Sequence, residues 1–487
     1  MARQMIRRFR ALLGGRRLAA PLALAAAAAA AGALFAALVH RQAPREFYDS
    51  SAYFEAAAKP WSFDQFLYPK PVLTSIVYRA LDADRIAIVN VQAWLAFLSW
   101  AAVAAALVAF LRRPAARVAA GLVVALLALH PTRIGYTDAL LSESLNDSLL
   151  ALCLAAALGL LAVRARIDPG PRRARATLAL SLALVALVAL WLLARDTNAV
   201  VALAAILLVA TLWARPLGRG RWGAAGLAAA GAGAGFVLWS TSAIPSPTHF
   251  SVQAWFPADF TARGTYARMN NVVDRIIPDP EARAFFERRG LPMADRIATL
   301  ENRHSIIYDP ALAPARTWIA RESQGVYVRW LLAHPLERAS DQVVHAWTLL
   351  GIEDPRGYMP DGWIGRSKAA RWILGVATSK PVVLLLLVLC PVALWRARRH
   401  AGSRLALCLI ASGWIGSAAA FYADTAEPGR HCYGSGQQIV FGLFLAALTL
   451  LEHGVRAPAA GRPRGSAADE LDRAGRIADR GRADREV

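Results

Sequence analysis

The sequence predicts an all-α polytopic membrane protein of about ten transmembrane helices, with a helical extracytoplasmic domain or lid. Three observations carry that reading. Of 487 residues, 56% are hydrophobic and the mean hydropathy is +0.37, more apolar sequence than a soluble chain of this length needs. The apolar residues come in blocks of Ala, Leu and Val separated by arginine-rich punctuation, the pattern of repeated membrane crossing. The arginines also alternate: they crowd every second inter-block loop and are sparse in the others.

The first span runs from Leu18 to Val39, behind Arg3, Arg7, Arg8, Arg10, Arg16 and Arg17. A signal peptide also begins with basic residues, but its apolar core is roughly 7–15 residues long. This run is longer and leads into His40 and Arg41, so an uncleaved span is expected. Next come Ile86 to Leu111, Val118 to about Gly135, Leu145 to Val163, Leu178 to Ala194, Ala199 to Ala214 and Gly223 to Trp239. The last three are Gly375 to Trp395, Leu405 to Tyr422 and Tyr433 to Leu451. The third span is purely apolar only as far as Leu129. It reaches crossing length only with His130, Pro131 and Arg133 at the far interface.

These spans divide the chain into an N-terminal membrane module of about seven spans over 1–239, with an external loop at 40–85. Residues 240–374 form the extracytoplasmic domain, and 375–453 a second membrane module of about three spans. Within the external segment, Gly325 to Gly351 has apolar residues at helical spacing and a break at Pro335. The tail at 454–487 is charged and poor in large apolar residues, as a disordered segment is. The arginine-rich loops include Arg112/Arg113/Arg117, Arg164/Arg166/Arg172/Arg173/Arg175, Arg215/Arg219/Arg221 and Arg396/Arg398/Arg399/Arg404. The opposite short loops hold only Arg133, Arg195 and Arg430. The positive-inside rule makes the first set cytoplasmic, so both termini are inside and the chain is a multi-pass protein of the cytoplasmic (inner) membrane.

The net charge of +21 would point to nucleic acid in a soluble protein. Here the arginines flank apolar runs and act as topology determinants, so the expected partner is the lipid bilayer, with no nucleic acid. Cys153, Cys390 and Cys408 fall inside apolar runs and Cys432 outside them; neither a disulfide framework nor a zinc-type spacing can be built.

Ionisable residues beside membrane spans are costly, which makes those at the external rim candidates for function. Asp49 follows the first span closely, and in a helix it shares a face with Tyr53 at i, i+4. It is a candidate general base; the competing reading is a helix N-cap before Ser50 to Ala58. Asp138, Glu143 and Asp147 gather between the third and fourth spans, Glu143 and Asp147 again at i, i+4. One carboxylate suits a helix N-terminus, but three exceed what capping requires. The rim cations are Lys70 between two prolines, Arg195 beside Asp196, and Arg430-His431 after Glu427-Pro428. Such cations can bind phosphate; interfacial anchoring, or an Arg-Asp pair that neutralises itself, is the alternative.

These segments together resemble the GT-C glycosyltransferases, the superfamily of the protein mannosyltransferase and lipid A aminoarabinose transferase types. Tyr48-Asp49-Ser50-Ser51-Ala52-Tyr53 and Tyr68-Pro69-Lys70-Pro71-Val72-Leu73 are similar to the superfamily's first external loop. His130-Pro131 through Tyr136, with Leu141-Ser142-Glu143-Ser144-Leu145, is similar to its second. Arg195-Asp196-Thr197 resembles a later Thr-Arg-Pro turn, and Glu427-Pro428-Gly429-Arg430-His431 the segment before the last span. The chain departs from the pattern at Val72 and Ser144, where that superfamily has proline, and the large external segment carries no superfamily motif.

The resemblance implies transfer of a sugar from a polyprenyl-phosphate donor to a glycan, lipid or protein acceptor at the outer leaflet. Asp49 would activate the acceptor hydroxyl; Lys70, Arg195, Arg430 and His431 would bind the donor phosphate. Glu143, placed with Asp49 as catalytic, or Asp138 with Tyr53, would orient the acceptor or a metal. No cofactor is identified from the residues; some members use a divalent cation and others do not. The alternatives are a surface-polysaccharide polymerase or ligase, which needs cations in a large outer loop, and a lipid or solute transporter, which favours ionisable sites at mid-membrane.

Overall fold

The computed structural model describes residues 43–61, 71–217, 265–300, 303–352, 367–398, 400–423 and 428–453, with single positions at 231, 235 and 425. The first and seventh expected spans, Lys70, Glu427 and the 454–487 tail lie outside the described residues.

Among the described residues the fold is helical, without a strand; one isolated parallel bridge joins Arg45 to Ala139. The order is α1 (Tyr48–Ala58), α2 (Val72–Ala80), α3 (Arg85–Phe110), α4 (Pro114–Ala128), α5 (Pro131–Thr137), α6 (Glu143–Arg166), α7 (Pro171–Leu192) and α8 (Thr197–Leu217). After the gap come α9 (Thr265–Asn270), which runs on as a wide turn to Ile276, α10 (Pro280–Glu287), α11 (Ala294–Ala298), α12 (Ala313–Arg321), α13 (Ser323–Ala333), α14 (Pro335–Val344) and α15 (Ala346–Leu349). The chain closes with α16 (Lys368–Leu374), α17 (Lys380–Arg396), α18 (Ala401–Ala423) and α19 (Pro428–His453).

Five of these, α3, α6, α7, α18 and α19, are long and apolar enough to cross a membrane, as expected for an all-α membrane protein. The third expected span is a broken one: α4 and α5 meet at a 52° bend. Pro131 lacks the N–H that would continue α4, and its ring clashes with the preceding turn. Beyond the bend every residue of α5 is buried, so Arg133 lies inside the protein.

The spans share one apolar core. Within it α19 is the most enclosed helix, and glycines explain why. A Cβ at Gly413 or Gly416 of α18 would come within 3.0 Å of α19 atoms, and one at Gly442 of α19 would stand 2.8 Å from Ile410. Small residues let helices approach this closely where lipid offers no hydrophobic drive between them. By contrast α7 turns Leu178, Leu182, Val185 and Leu190 outward, the surface a helix shows to lipid.

Residues 269–330 have a separate core built on Met269, Ile276, Phe286, Ile297, Leu312, Ile319 and Trp330. This unit sits on the end of α18. Asn271 Nδ2 donates to the carbonyls of Tyr422 (3.1 Å) and Ala423 (2.7 Å), and Arg275 Nη2 to that of Phe421 (3.1 Å). The last turn of a helix leaves its carbonyls unbonded and partly negative, so an amide and a guanidinium are apt partners there. The break expected at Pro335 falls between α13 and α14.

A candidate functional site at one end of the bundle

Four segments far apart in the chain bring their charges together beside the 269–330 unit. Asp49 stands in the first turn of α1. It is not the helix cap: the helix begins after Phe47, whose N–H is taken by Ser50 Oγ at 2.9 Å. The Asp49 carboxylate instead accepts from Arg430 Nη2 at 2.6 Å. Glu143 opens α6, where the helix dipole favours a negative charge. Its Oε1 lies 3.2 Å from Arg195 Nη1 and 3.4 Å from Arg430 Nε. Arg195 comes from the link between α7 and α8, so it is Glu143 rather than neighbouring Asp196 that it reaches.

Arg430 and His431 belong to the first turn of α19, which starts at Pro428, five residues before the apolar run expected from sequence. A cation at a helix N-terminus opposes the dipole; here Asp49 and Glu143 supply the compensating charge. Arg195 Nη2 donates to His431 Nδ1 at 3.1 Å, and Nη1 to the Arg430 carbonyl at 3.4 Å. With Nδ1 as acceptor, the neutral imidazole carries its proton on Nε2. Glu143 is 2% exposed and the two arginines 7–8%, so the pairs act in a medium less screening than water.

Tyr53, one turn after Asp49, is buried. Burial, then the charges of Asp49 and Glu143, push its hydroxyl above the usual phenol range. It stays a neutral group able to donate or accept.

Each of the three clustered acids has its own cationic partner, which the sequence did not indicate. Asp138 Oδ1 accepts from Arg45 Nε (3.0 Å) and Nη2 (2.7 Å), beside the bridge that ties the 43–47 segment to Ala139. Asp147, one turn below Glu143, accepts from Arg133 Nε (2.6 Å) and Nη2 (3.1 Å) and from Trp100 Nε1 (3.2 Å). Gln437 Oε1 accepts from Arg133 at 3.2 Å, and the guanidinium covers the Trp100 ring at 4.2 Å. Asp147 is thus half of a buried ion pair. Cys432, which lies outside the apolar runs of the sequence, is fully buried in α19 with its Sγ 3.3 Å from the Ser417 carbonyl.

Asn146 and Asn198 were also missed. Asn198 Nδ2 donates to Asn146 Oδ1 at 2.7 Å and so fixes α8, and the Arg195 turn before it, against α6. Two asparagines at the ends of apolar helices were the available signal. Among the described residues no group of three or more His, Cys, Asp or Glu is arranged to hold a metal. Glu143 and Asp138 face guanidinium groups, a setting that does not fit a divalent cation, and no step is routed through one.

The site thus offers two carboxylates, two guanidiniums, an imidazole and a neutral phenol, all at one end of a membrane bundle. Compared with protein-family models, curated proteins and solved structures, the chain matches none.

Proposed function

We propose that the protein is a membrane glycosyltransferase of the GT-C type that moves a sugar from a polyprenyl-phosphate donor to a cell-envelope acceptor at the outer face of the cytoplasmic membrane. The observation that supports this reading is the convergence of Asp49, Glu143, Arg195, Arg430 and His431 from segments up to 381 positions apart. In the reaction, Asp49 takes the proton of the acceptor hydroxyl as its oxygen attacks the anomeric carbon. The bond from that carbon to the phosphate oxygen breaks with inversion, and the phosphate leaves with the electron pair. Arg430 and Arg195 then meet the charge that develops on the leaving group.

Among the described residues, Asp49 and Glu143 are held by Arg195 and Arg430. A donor phosphate therefore has to compete for Arg430, and in winning it would release Asp49 Oδ2 from the 2.6 Å pair. The test is direct. Purified protein should release polyprenyl phosphate from one member of a panel of lipid-linked sugars. Arg430→Ala should raise the donor KM by roughly 10–150-fold, the worth of one charge-assisted hydrogen bond. Unchanged donor KM in both Arg430→Ala and Lys70→Ala would leave the cations as anchors only.

This reading places the site and the 269–330 unit outside and both termini inside. A reporter inserted at Asp295, whose side chain is 91% exposed, should then report the cell exterior or periplasm. One placed after Gly170, or in the 454–487 tail, should report cytoplasm. A cytoplasmic signal at Asp295 would remove the outer-leaflet donor.

A further inference from the structure

We propose that α14, with the adjoining end of α13, is seated in the lipid bilayer beside α18, where acyl chains of the leaflet next to the 269–330 unit cover its apolar strip. The proposal stands apart from the glycosyltransferase reading and needs no orientation of the membrane.

The strip comes from helical spacing. Leu336, Ala339 and Val343 share one side of α14. Leu336 is 84% exposed, Val343 76%, and Leu332 at the end of α13 is 75%. No residue of α14 is buried. The opposite side bears Glu337, Arg338 and Asp341, whose charges are met within the segment. Arg338 Nη2 reaches Glu337 at 3.0 Å, Nη1 reaches Asp341 at 2.8 Å, and the guanidinium lies 4.2 Å over the Trp330 ring. A helix with one charged side, held together by Arg338 between two carboxylates, and one bare apolar side is built for a membrane interface.

Position identifies the occupant. Tyr422 OH donates to the Arg338 carbonyl at 2.8 Å, and Trp414 Nε1 donates to Gln342 Oε1 at 2.7 Å. Tyr422 and Trp414 are eight residues apart on α18, about 12 Å along its axis. They belong to a helix whose length and hydropathy qualify it to cross a membrane. So α14 is fastened along the last turns of a span rather than above it. An exposed apolar side of α18 continues past the contact, with Leu407 37% exposed. A groove of about 420 Å³ lies between the helices, lined by apolar Leu331, Pro335, Ala339 and Val343 and by polar Arg338 and Gln342. Its apolar walls fit a hydrocarbon chain. Beyond α14 the chain enters the bundle: Leu349 is buried with Phe421 and Cys432, and the Leu350 carbonyl carbon would lie 2.3 Å from a Cβ at Gly436.

Single cysteines test this in phosphatidylcholine vesicles. The four native cysteines are buried, and the wild-type chain supplies the background. A charged maleimide should label Val343→Cys at least about tenfold more slowly than Asp295→Cys. A membrane-permeant bimane at Val343→Cys should be quenched by phosphatidylcholine with a nitroxide on its acyl chain, and weakly by aqueous iodide. Fast maleimide labelling with strong iodide quenching would overturn the proposal. So would protection from both quenchers with disulfide cross-linking of Val343→Cys between chains, since a second copy would then cover the strip.

Discussion

Replacing Asp49 with Asn should leave a folded membrane protein that has lost nearly all transfer activity. The substitution keeps size and one hydrogen-bond acceptor, so Arg430 Nη2 retains a partner at the position now 2.6 Å away. Because α1 is capped through Ser50 and not Asp49, helix initiation is untouched. Stability should fall by no more than about 1.5–3 kcal/mol, the range for a hydrogen bond to a charged group. What vanishes is the basic carboxylate, and general-base losses run to about 10²–10⁴-fold.

The kinetic split separates chemistry from architecture. Asn has no charge to hold Arg430, so the donor phosphate meets less competition: kcat should collapse while the donor KM stays level or falls. If the Asp49–Arg430 pair only fastened α1 to α19, the variant would lose solubility and donor binding together. Asp295→Asn, on an exposed side chain of the 269–330 unit, serves as the control. Full activity of Asp49→Asn at matched expression would remove the base and most of the case for this transferase chemistry.

Much of this site was legible because membranes make charge conspicuous. Asp49, Glu143, Arg195, Arg430 and His431 stand out as ionisable residues at the ends of apolar runs, and all five meet. Their pairing was not legible. Spacing says which residues share a helix face, but not that Arg195 would pass over Asp196 for a carboxylate 52 positions earlier. For the same reason Arg45 drew no notice: its partner Asp138 is 93 positions on. Five of the spans followed from hydropathy, whereas the 52° bend between α4 and α5 did not. The α14 strip was hidden by length, since ten residues around one proline give too short a pattern to tell a lid from a membrane-seated helix.

The largest stability effect should come from the ion pair beneath the site. Asp147→Leu would leave the Arg133 guanidinium among Trp100, Tyr433 and apolar helices, 2% exposed and without its counter-charge. Breaking a buried pair from one side typically costs 3–5 kcal/mol, roughly the whole margin of a small domain. Arg133→Met should cost less. A stranded Asp147 can be neutralised by binding a proton and keeps the Trp100 Nε1 bond at 3.2 Å; a guanidinium has no such escape. The double variant Arg133→Met/Asp147→Leu should recover most of the loss. Among the described residues Arg133 Nη1 and Gln437 Nε2 find no hydrogen-bond partner, so the native pair is imperfectly satisfied, and an apolar replacement of similar volume removes that penalty along with the charges. Thermal unfolding in one detergent at fixed protein concentration would rank the three. The expected order of loss is Asp147→Leu, then Arg133→Met, then the double variant. A double variant as unstable as Asp147→Leu would mean that the pair specifies the α3–α5–α6 packing, and that Glu143, one turn above Asp147, depends on it for its place.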